Sequence, residues 1–402
     1  MKIRSITGFC ARPDGCGPAG EFLAAARSAY EDAGFEVQTV RLALPPLRHL
    51  ADPAAPPSSL VELATAFDQC AHDHGVDYVA LGPHLPGDAS GWTAGMLEAL
   101  RETQRVFLTL ALDDDASRLH PEQAERAARL ILDAAPLEPN GFANLRLSTL
   151  ACVPPGVPFL PAAYAAPDQD FGFAIATESA SLPREAFAGA SSIADASERL
   201  VTAVEEQGAS LESVARTLEQ HHDARFAGID FSFAPFPDEA NSIGAALESM
   251  GLDRAGAPGT TVAAAVLTSA LDRARFTRTG FSGLFLPVLE DDRLAARAAE
   301  GSLRIEDLLL ASTVCGTGLD TVPLPGDVDA ASIVATLLDL GAIALRHRKP
   351  LTARLMPMPG RQAGEALDFD FPFFANGRVM PLRAGAVQGA LRSGPIPIVP
   401  RP

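Results

Sequence analysis

The chain has 402 residues, of which 47% are hydrophobic and 20% charged, and its net charge is −18 at pH 7. That balance supports a large core and excludes a mostly disordered chain. The acidic excess excludes partners that need a Lys/Arg footprint, so neither nucleic acid nor an anionic membrane surface is an expected partner.

The opening Lys2-Ile3-Arg4-Ser5-Ile6-Thr7 enters a strand pattern over 3–9 at once, without the apolar h-region of a signal peptide. Residues 19–33 are spaced as an amphipathic helix that Gly34 ends, and 35–42 alternate as a half-buried strand. The Pro-rich stretch 45–57 is a loop, and Ser58 or Ser59 caps a helix reaching about His74. A strand over 76–81 stops at Gly82-Pro83, a helix follows over 90–102, and an apolar strand over 105–112 ends in Asp113-Asp114-Asp115. A helix over 121–135 precedes strands at 145–153 and 171–177, the second ending at Glu178. Helices are predicted over 194–207 and 210–222.

The second half repeats the rhythm. A strand over 227–233 leads to helices at 241–250 and 260–273, and a strand over 282–289 leads to helices at 291–300 and 304–313. A loop carrying Cys315, a long helix over 329–347 and a strand over 351–356 follow, before a Gly/Pro-rich tail from 372. No run of about eighteen apolar residues free of charge marks a membrane span. Strands alternating with helices predict an α/β fold with a largely parallel sheet or barrel. One large domain over 1–402 is expected, with a weak boundary in the proline cluster near 154–170 that would separate lobes 1–160 and 161–402.

Cys10, Cys16, Cys70, Cys152 and Cys315 are odd in number and lack zinc-site spacing. Reduced thiols in a cytoplasmic protein are the simplest expectation. Cys10 and Cys16 share a glycine-rich loop and are the pair that oxidation could join.

Acids gather where strands end, as in α/β proteins that bind small polar ligands. In Gly228-Ile229-Asp230-Phe231-Ser232, the pleat sends Asp230 and Ser232 to one side. Glu290-Asp291-Asp292 follows the strand containing Ser282, and Asp320 and Asp327 flank Thr-Val-Pro-Leu-Pro-Gly. Such acids can serve as proton-transfer groups or as oxygen ligands for Mg²⁺ or Ca²⁺, with Asp230, Glu290 and Asp320 the expected metal set. They can equally cap the next helix, which suffices for Asp327 before 329–347 and competes for Asp291. Arg354 lies between Ala353 and Leu355, and a guanidinium in an apolar strand needs an acidic partner or a substrate carboxylate. Arg4 follows the same logic. Cys315, in Cys-Gly-Thr-Gly, reads as an accessible thiol whose pKa nearby backbone donors could lower. Among the histidines only His84, just after Gly82-Pro83, is kept as a site candidate. No Walker loop, nucleophile elbow or dinucleotide fingerprint stands where a strand meets a helix, so no nucleotide cofactor is expected.

Taken together, Lys2–Thr7, Asp230-Phe231-Ser232-Phe233-Ala234-Pro235, Pro258-Gly259-Thr260, Gly280-Phe281-Ser282-Gly283, Cys315-x-x-Gly318-Leu319-Asp320, Pro325-Gly326-Asp327 and Ala353-Arg354-Leu355 resemble domain-of-unknown-function family 711. Its members are often labelled pyruvate formate-lyase family proteins. The resemblance implies the fold of glycyl-radical enzymes, a ten-stranded α/β barrel entered by a loop, and aligns Cys315 with the cysteine on that loop. It also exposes a departure. Radical enzymes carry an Arg-Val-x-Gly-aromatic motif, whereas this chain has Arg378-Val379-Met380-Pro381-Leu382, with proline in the glycine's place.

The expected function is therefore that of a cytoplasmic, homo-oligomeric enzyme acting on a small polar, carboxylate-bearing metabolite. Its lyase, isomerase or hydrolase chemistry would be acid/base or metal-assisted, not radical. Asp230, Glu290, Asp291, Cys315 and Asp320 are the catalytic candidates, and Ser232, Ser282, Arg354, Arg4 and His84 the substrate-binding ones. The alternative is a non-catalytic small-molecule binder.

Overall fold

The computed structural model describes residues 2–12 and 15–401. The first strand, β1 (Lys2–Phe9), is followed by α1 (Cys16–Asp32), β2 (Val37–Ala43), α2 (Pro57–Asp73), β3 (Tyr78–Ala80), α3 (Trp92–Glu102) and β4 (Val106–Ala111). A two-residue strand β5 (Arg118–Leu119), α4 (Pro121–Ala134) and β6 (Leu147–Ala151) complete the first half. The second half contains β7 (Gly172–Glu178), α5 (Ser181–Phe187), α6 (Ile193–His221), β8 (Arg225–Asp230), α7 (Ile243–Ser249) and α8 (Thr260–Arg273). It ends with α9 (Asp292–Ala299), α10 (Ile305–Ala311), β9 (Gly318–Pro325), α11 (Ala330–His347) and β10 (Leu351–Met358).

Nine strands form one sheet in the order β8-β7-β1-β2-β3-β4-β6-β10-β9. Neighbours are parallel except at two seams, β1 with β7 and β6 with β10. The sheet is thus mixed rather than simply parallel: the central block β1-β2-β3-β4-β6 runs one way, and the flanking pairs β8-β7 and β10-β9 run the other. Strands from both sides of residue 160 are neighbours in it, so 1–160 and 161–402 do not form two separate sheets.

Alternation along the strands separates two faces. Ile3, Ile6, Val40, Leu42, Val79, Leu108, Ile229 and Leu355 join the principal core with the helices. The other face carries smaller clusters, such as Phe9, Ala43, Ala80 and Phe107 with Leu160 and Ala163. The proline-rich stretch expected as a boundary crosses this second face. Its Pro158 carbonyl accepts bonds from Ser5 Oγ (3.2 Å) and Thr7 Oγ1 (2.7 Å), and Phe159 packs 4.5 Å, centroid to centroid, from Phe285. Burial of Val157, Phe159 and Ala162 against strand residues turns this loop into core.

Three predicted elements differ. The helices expected at 194–207 and 210–222 are one, α6, capped by Ser192 accepting from Asp195 N. Gly208 does not break it; a Cβ there would come 3.2 Å from that of Phe276, so the glycine permits close packing. The strand expected at 282–289 has only isolated bridges, Leu284 with Phe233 and Pro287 with Asp320, and just before it Arg278 pairs with Ile229. Strand β9 was hidden in the sequence by its prolines and glycine. Helix α11 is capped by Asp329, which accepts from Ser332 N at 2.8 Å, rather than by Asp327. By length and composition α11 could cross a membrane; here its buried face packs on β6, β10 and α4.

The thiol expectation also changes. Cys16 and Cys70 form a disulfide across 54 residues, joining α1 to α2, so oxidation pairs Cys16 with Cys70 rather than with Cys10. Closing a loop of that length restricts the unfolded chain by about 3–4 kcal/mol. A reductant should lower the melting midpoint of the native protein, and Cys16→Ser should abolish that sensitivity. An unchanged wild-type midpoint after verified reduction would refute the stabilising role.

Candidate functional site

A cavity of about 80 Å³ lies on the second face, at the end where β1–β4 begin. Its wall draws Arg4 from β1, Thr39 and Arg41 from β2, Tyr78 from β3 and Phe107 from β4, together with Glu290, Asp320 and Arg354 from the second half. A space this size holds a few waters or a compact ligand.

Side-chain alternation delivers the charges. In β10, Ala353 and Leu355 join the helix-side core, leaving Arg354 to the opposite face. In β2, Val40 and Leu42 do the same and send Arg41 to the cavity. Asp320 precedes Thr321, whose φ of 44° is a left-handed value rare for a β-branched residue. The pairing of β9 with β10 also shifts between Ala353 and Leu355, an irregularity of the kind that re-aims side chains.

Two arginines, Arg4 and Arg354, meet three acids. Glu290 bridges two of them, accepting from Arg354 Nη2 at 2.6 Å and from Arg4 Nη2. Arg354 Nε also donates to Asp320 Oδ1 at 2.6 Å, and Arg4 Nη1 to Glu178 Oε2 at 3.0 Å and to the Pro235 carbonyl at 3.1 Å. Burial would raise the pKa of Glu290, but the flanking Arg4 and Arg354 prevail and hold it below the ordinary carboxylate value. Asp320 goes the other way: burial, reinforced by the negative charge of Glu290, raises it despite Arg354. Glu178 is also raised, chiefly by burial, and its Oε1 is buried without a hydrogen-bond partner.

Arg41 differs from the other two arginines. It is only 8% exposed, and its Nε donates to Thr39 Oγ1 at 2.8 Å. Among the described residues no carboxylate pairs with it, so both terminal nitrogens remain for a ligand. Its guanidinium carbon lies 5.7 Å from the Tyr78 ring centroid. Burial, then the nearby charge of Arg4, pushes its pKa down to about 10, so it stays cationic at neutral pH.

The structure thus brings together four of the sequence candidates: Arg4, Glu290, Asp320 and Arg354. It places the others elsewhere. Asp230 is a fastening: its carboxylate accepts from Ser232 Oγ (2.5 Å), Phe281 N (2.6 Å) and Ser282 N (2.8 Å). Ser232 and Ser282 belong to that knot, accepting from Gly283 N and Phe231 N. Asp291 caps two helices, taking Ser242 Oγ, Ile243 N and Gly244 N at α7 and Arg293 N and Leu294 N at α9. His84 is buried between Gln123 and the Ala89 carbonyl, edge-on to Trp92.

Cys315 is not an accessible thiol. It is 1% exposed in the helix-side core, and burial raises its pKa. The loop on the second face is 153–166, which contains no cysteine. The expected metal set does not assemble either. Asp230 is outside the cavity wall, while Glu290 and Asp320 already serve Arg4 and Arg354. Among the described residues no group of three His, Cys, Asp or Glu side chains is placed to hold a metal ion.

Sequence reasoning missed Arg41. The signal was present: Val40-Arg41-Leu42 repeats the pattern that singled out Arg354. Glu178 was seen only as a strand terminus.

Residues 15–372 match the family model described as Uncharacterised ACR (DUF711). A UPF0210 protein of Pyrobaculum arsenaticum is 34% identical over 396 residues, covering 94% of this chain and 84% of that one. A second, from Pyrobaculum aerophilum, is 33% identical over 354 residues (83% and 76%), and a third, from Syntrophobacter fumaroxidans, is 32% identical over 362 (84% and 77%). The family match spans Arg41, Glu178, Glu290, Asp320 and Arg354, and the chain belongs to the DUF711 (UPF0210) family.

Proposed function

We propose that this protein is an enzyme for a small carboxylate-bearing metabolite, bound in the cavity with its carboxylate on Arg41. The observation that carries the reading is a buried guanidinium that has no acidic partner among the described residues, beside two others that are fully engaged. An uncompensated buried charge is costly, and a bound carboxylate offsets that cost through paired, charge-assisted bonds. Asp320 is the proton-transfer candidate. It lines the cavity, Arg354 engages only its Oδ1, and its pKa is raised while that of Glu290 is lowered. Environments that separate two carboxyl pKa values in this way favour acid/base work.

The bridges at Arg278, Leu284 and Pro287 support reading 277–289 as a tenth strand that closes the sheet into a barrel around this cavity. Chemistry of the polar kind is favoured over radical chemistry by two placements. Val379 and Met380 donate to the carbonyls of Glu365 and Pro323, while Cys315 sits in the helix-side core. A second reading, a binder that returns its ligand unaltered, draws support from the arginines that already occupy Glu290 and Asp320.

Titration of the whole protein with small carboxylates, in wild type and Arg41→Met, tests the anchor. Loss of Arg41 should weaken binding at least about tenfold, the scale of one charge-assisted contact. The variant should fold as stably as wild type, since it deletes an unpaired buried charge. Equal binding by both proteins would refute the assignment. Mass analysis of the incubated ligand then separates enzyme from binder, and turnover should vanish in Asp320→Asn.

A further inference from the structure

The cavity also discriminates among carboxylates. We infer that its ligand is a monocarboxylate with a compact apolar body, of the branched-chain or aromatic acid class, rather than a dicarboxylate, an amino acid or a phosphate. This rests on the reading of Arg41 as the anion anchor.

Charge is the first argument. Arg4 and Arg354 each serve two carboxylates, so their capacity is spent inside the protein. Among the described residues of the wall Arg41 is left, which provides for one negative charge. A second carboxylate on the ligand, or a phosphate dianion, would meet Glu290 and Asp320 on the same wall, and like charges at short range in a buried site repel strongly. Glu290 is shared between Arg4 and Arg354 and Asp320 is paired with Arg354, so an ammonium group would have to compete with a guanidinium for either acid.

The remaining wall is the second argument. Phe107, Phe159, Phe285, Phe371 and Phe373 line the cavity together with Leu160. An ammonium desolvated among these rings without a dedicated partner is penalised. A hydrocarbon body gains from burial there, at about 25 cal/mol per Å² of apolar surface. The limited volume selects a compact body over an extended chain. The rings come from β4, the 153–166 loop, the bridging segment and the stretch 371–373, so four separate parts of the chain supply one apolar lining.

Isothermal titration of the full chain with isovalerate, benzoate, succinate, valine and inorganic phosphate, at one pH and ionic strength, reads the class directly. Isovalerate or benzoate should bind at least tenfold more tightly than the other three, and Arg41→Met should remove that binding. Succinate, valine or phosphate binding as tightly, through Arg41, would overturn the ligand class while leaving the anchor intact. Binding of isovalerate or benzoate that is indifferent to Arg41→Met, or no binding by any probe, would overturn the anchor together with the class.

Discussion

Glu290→Ala should destabilise the protein by about 3 kcal/mol, because removing one member of a buried ion network leaves charge uncompensated. Glu290 is 5% exposed and is the carboxylate that ties Arg4, from the first half, to Arg354, from the second. Each arginine retains one other acid, Glu178 or Asp320, which places the effect at the low end of the range for buried pairs. Glu290→Gln keeps the shape and one acceptor and should cost less. The sign with pH follows from the lowered pKa. The Glu290 contribution is present above the unfolded value of 4.5 and is lost as pH falls through the folded one, so wild type and Glu290→Gln should converge in acid. Chemical denaturation at pH 7 and below pH 4 measures both. A loss under about 1 kcal/mol at pH 7 would mean that the network behaves like an exposed pair and is not a buried brace.

Asp230→Ala should release the segment that bridges β8 and β9. The carboxylate holds Phe281 N, Ser282 N and Ser232 Oγ, and its loss leaves two buried donors and one half-buried donor without their acceptor. The cost of burying Asp230 itself, visible in a pKa pushed up to about 6 by desolvation, offsets part of this. A net loss of about 2–4 kcal/mol is expected from hydrogen bonds to a charged group less that offset. Amide exchange should quicken first over 277–289, and uniform acceleration throughout the protein would contradict a local fastening. The pH sign is opposite to that of Glu290. With a raised pKa, the contribution of Asp230 is full below the unfolded value of 3.8 and declines as pH rises through about 6. Asp230→Asn should remove that slope from the stability profile over the same window.

These two acids show what could be read from local pattern. Each follows a strand-like run in the sequence, and each can be read there as a chemical group or as a structural one. Asp230 became a fastening because Gly280 lets the following turn approach it; a Cβ at Gly280 would fall 2.1 Å from Oδ2. Glu290-Asp291-Asp292 divides three ways: Glu290 into the cavity, Asp291 across two helix ends, Asp292 exposed in the first turn of α9. The tripeptide has the same chemistry at all three positions, so only the directions of its side chains could separate the roles. Cys315 misled for a related reason: its glycine-rich surroundings read as an open turn, whereas Gly316 and Gly283 allow two backbones to pack closely, and the thiol is buried beside them.

By itself the sequence determined the alternating α/β architecture, most helix boundaries, and the need of Arg4 and Arg354 for acidic partners, because periodicity and the cost of buried charge act locally. Tertiary structure alone decided the two antiparallel seams, the Cys16–Cys70 pair, the burial of the 153–166 loop and the lack, among the described residues, of an ion-pair partner for Arg41. The physical reason is that pairing is a property of distance. Arg4 and Glu290 are 286 residues apart in the chain, yet one hydrogen bond joins them. Arg41 has an equally plausible sequence context and, among the described residues, forms no ion pair.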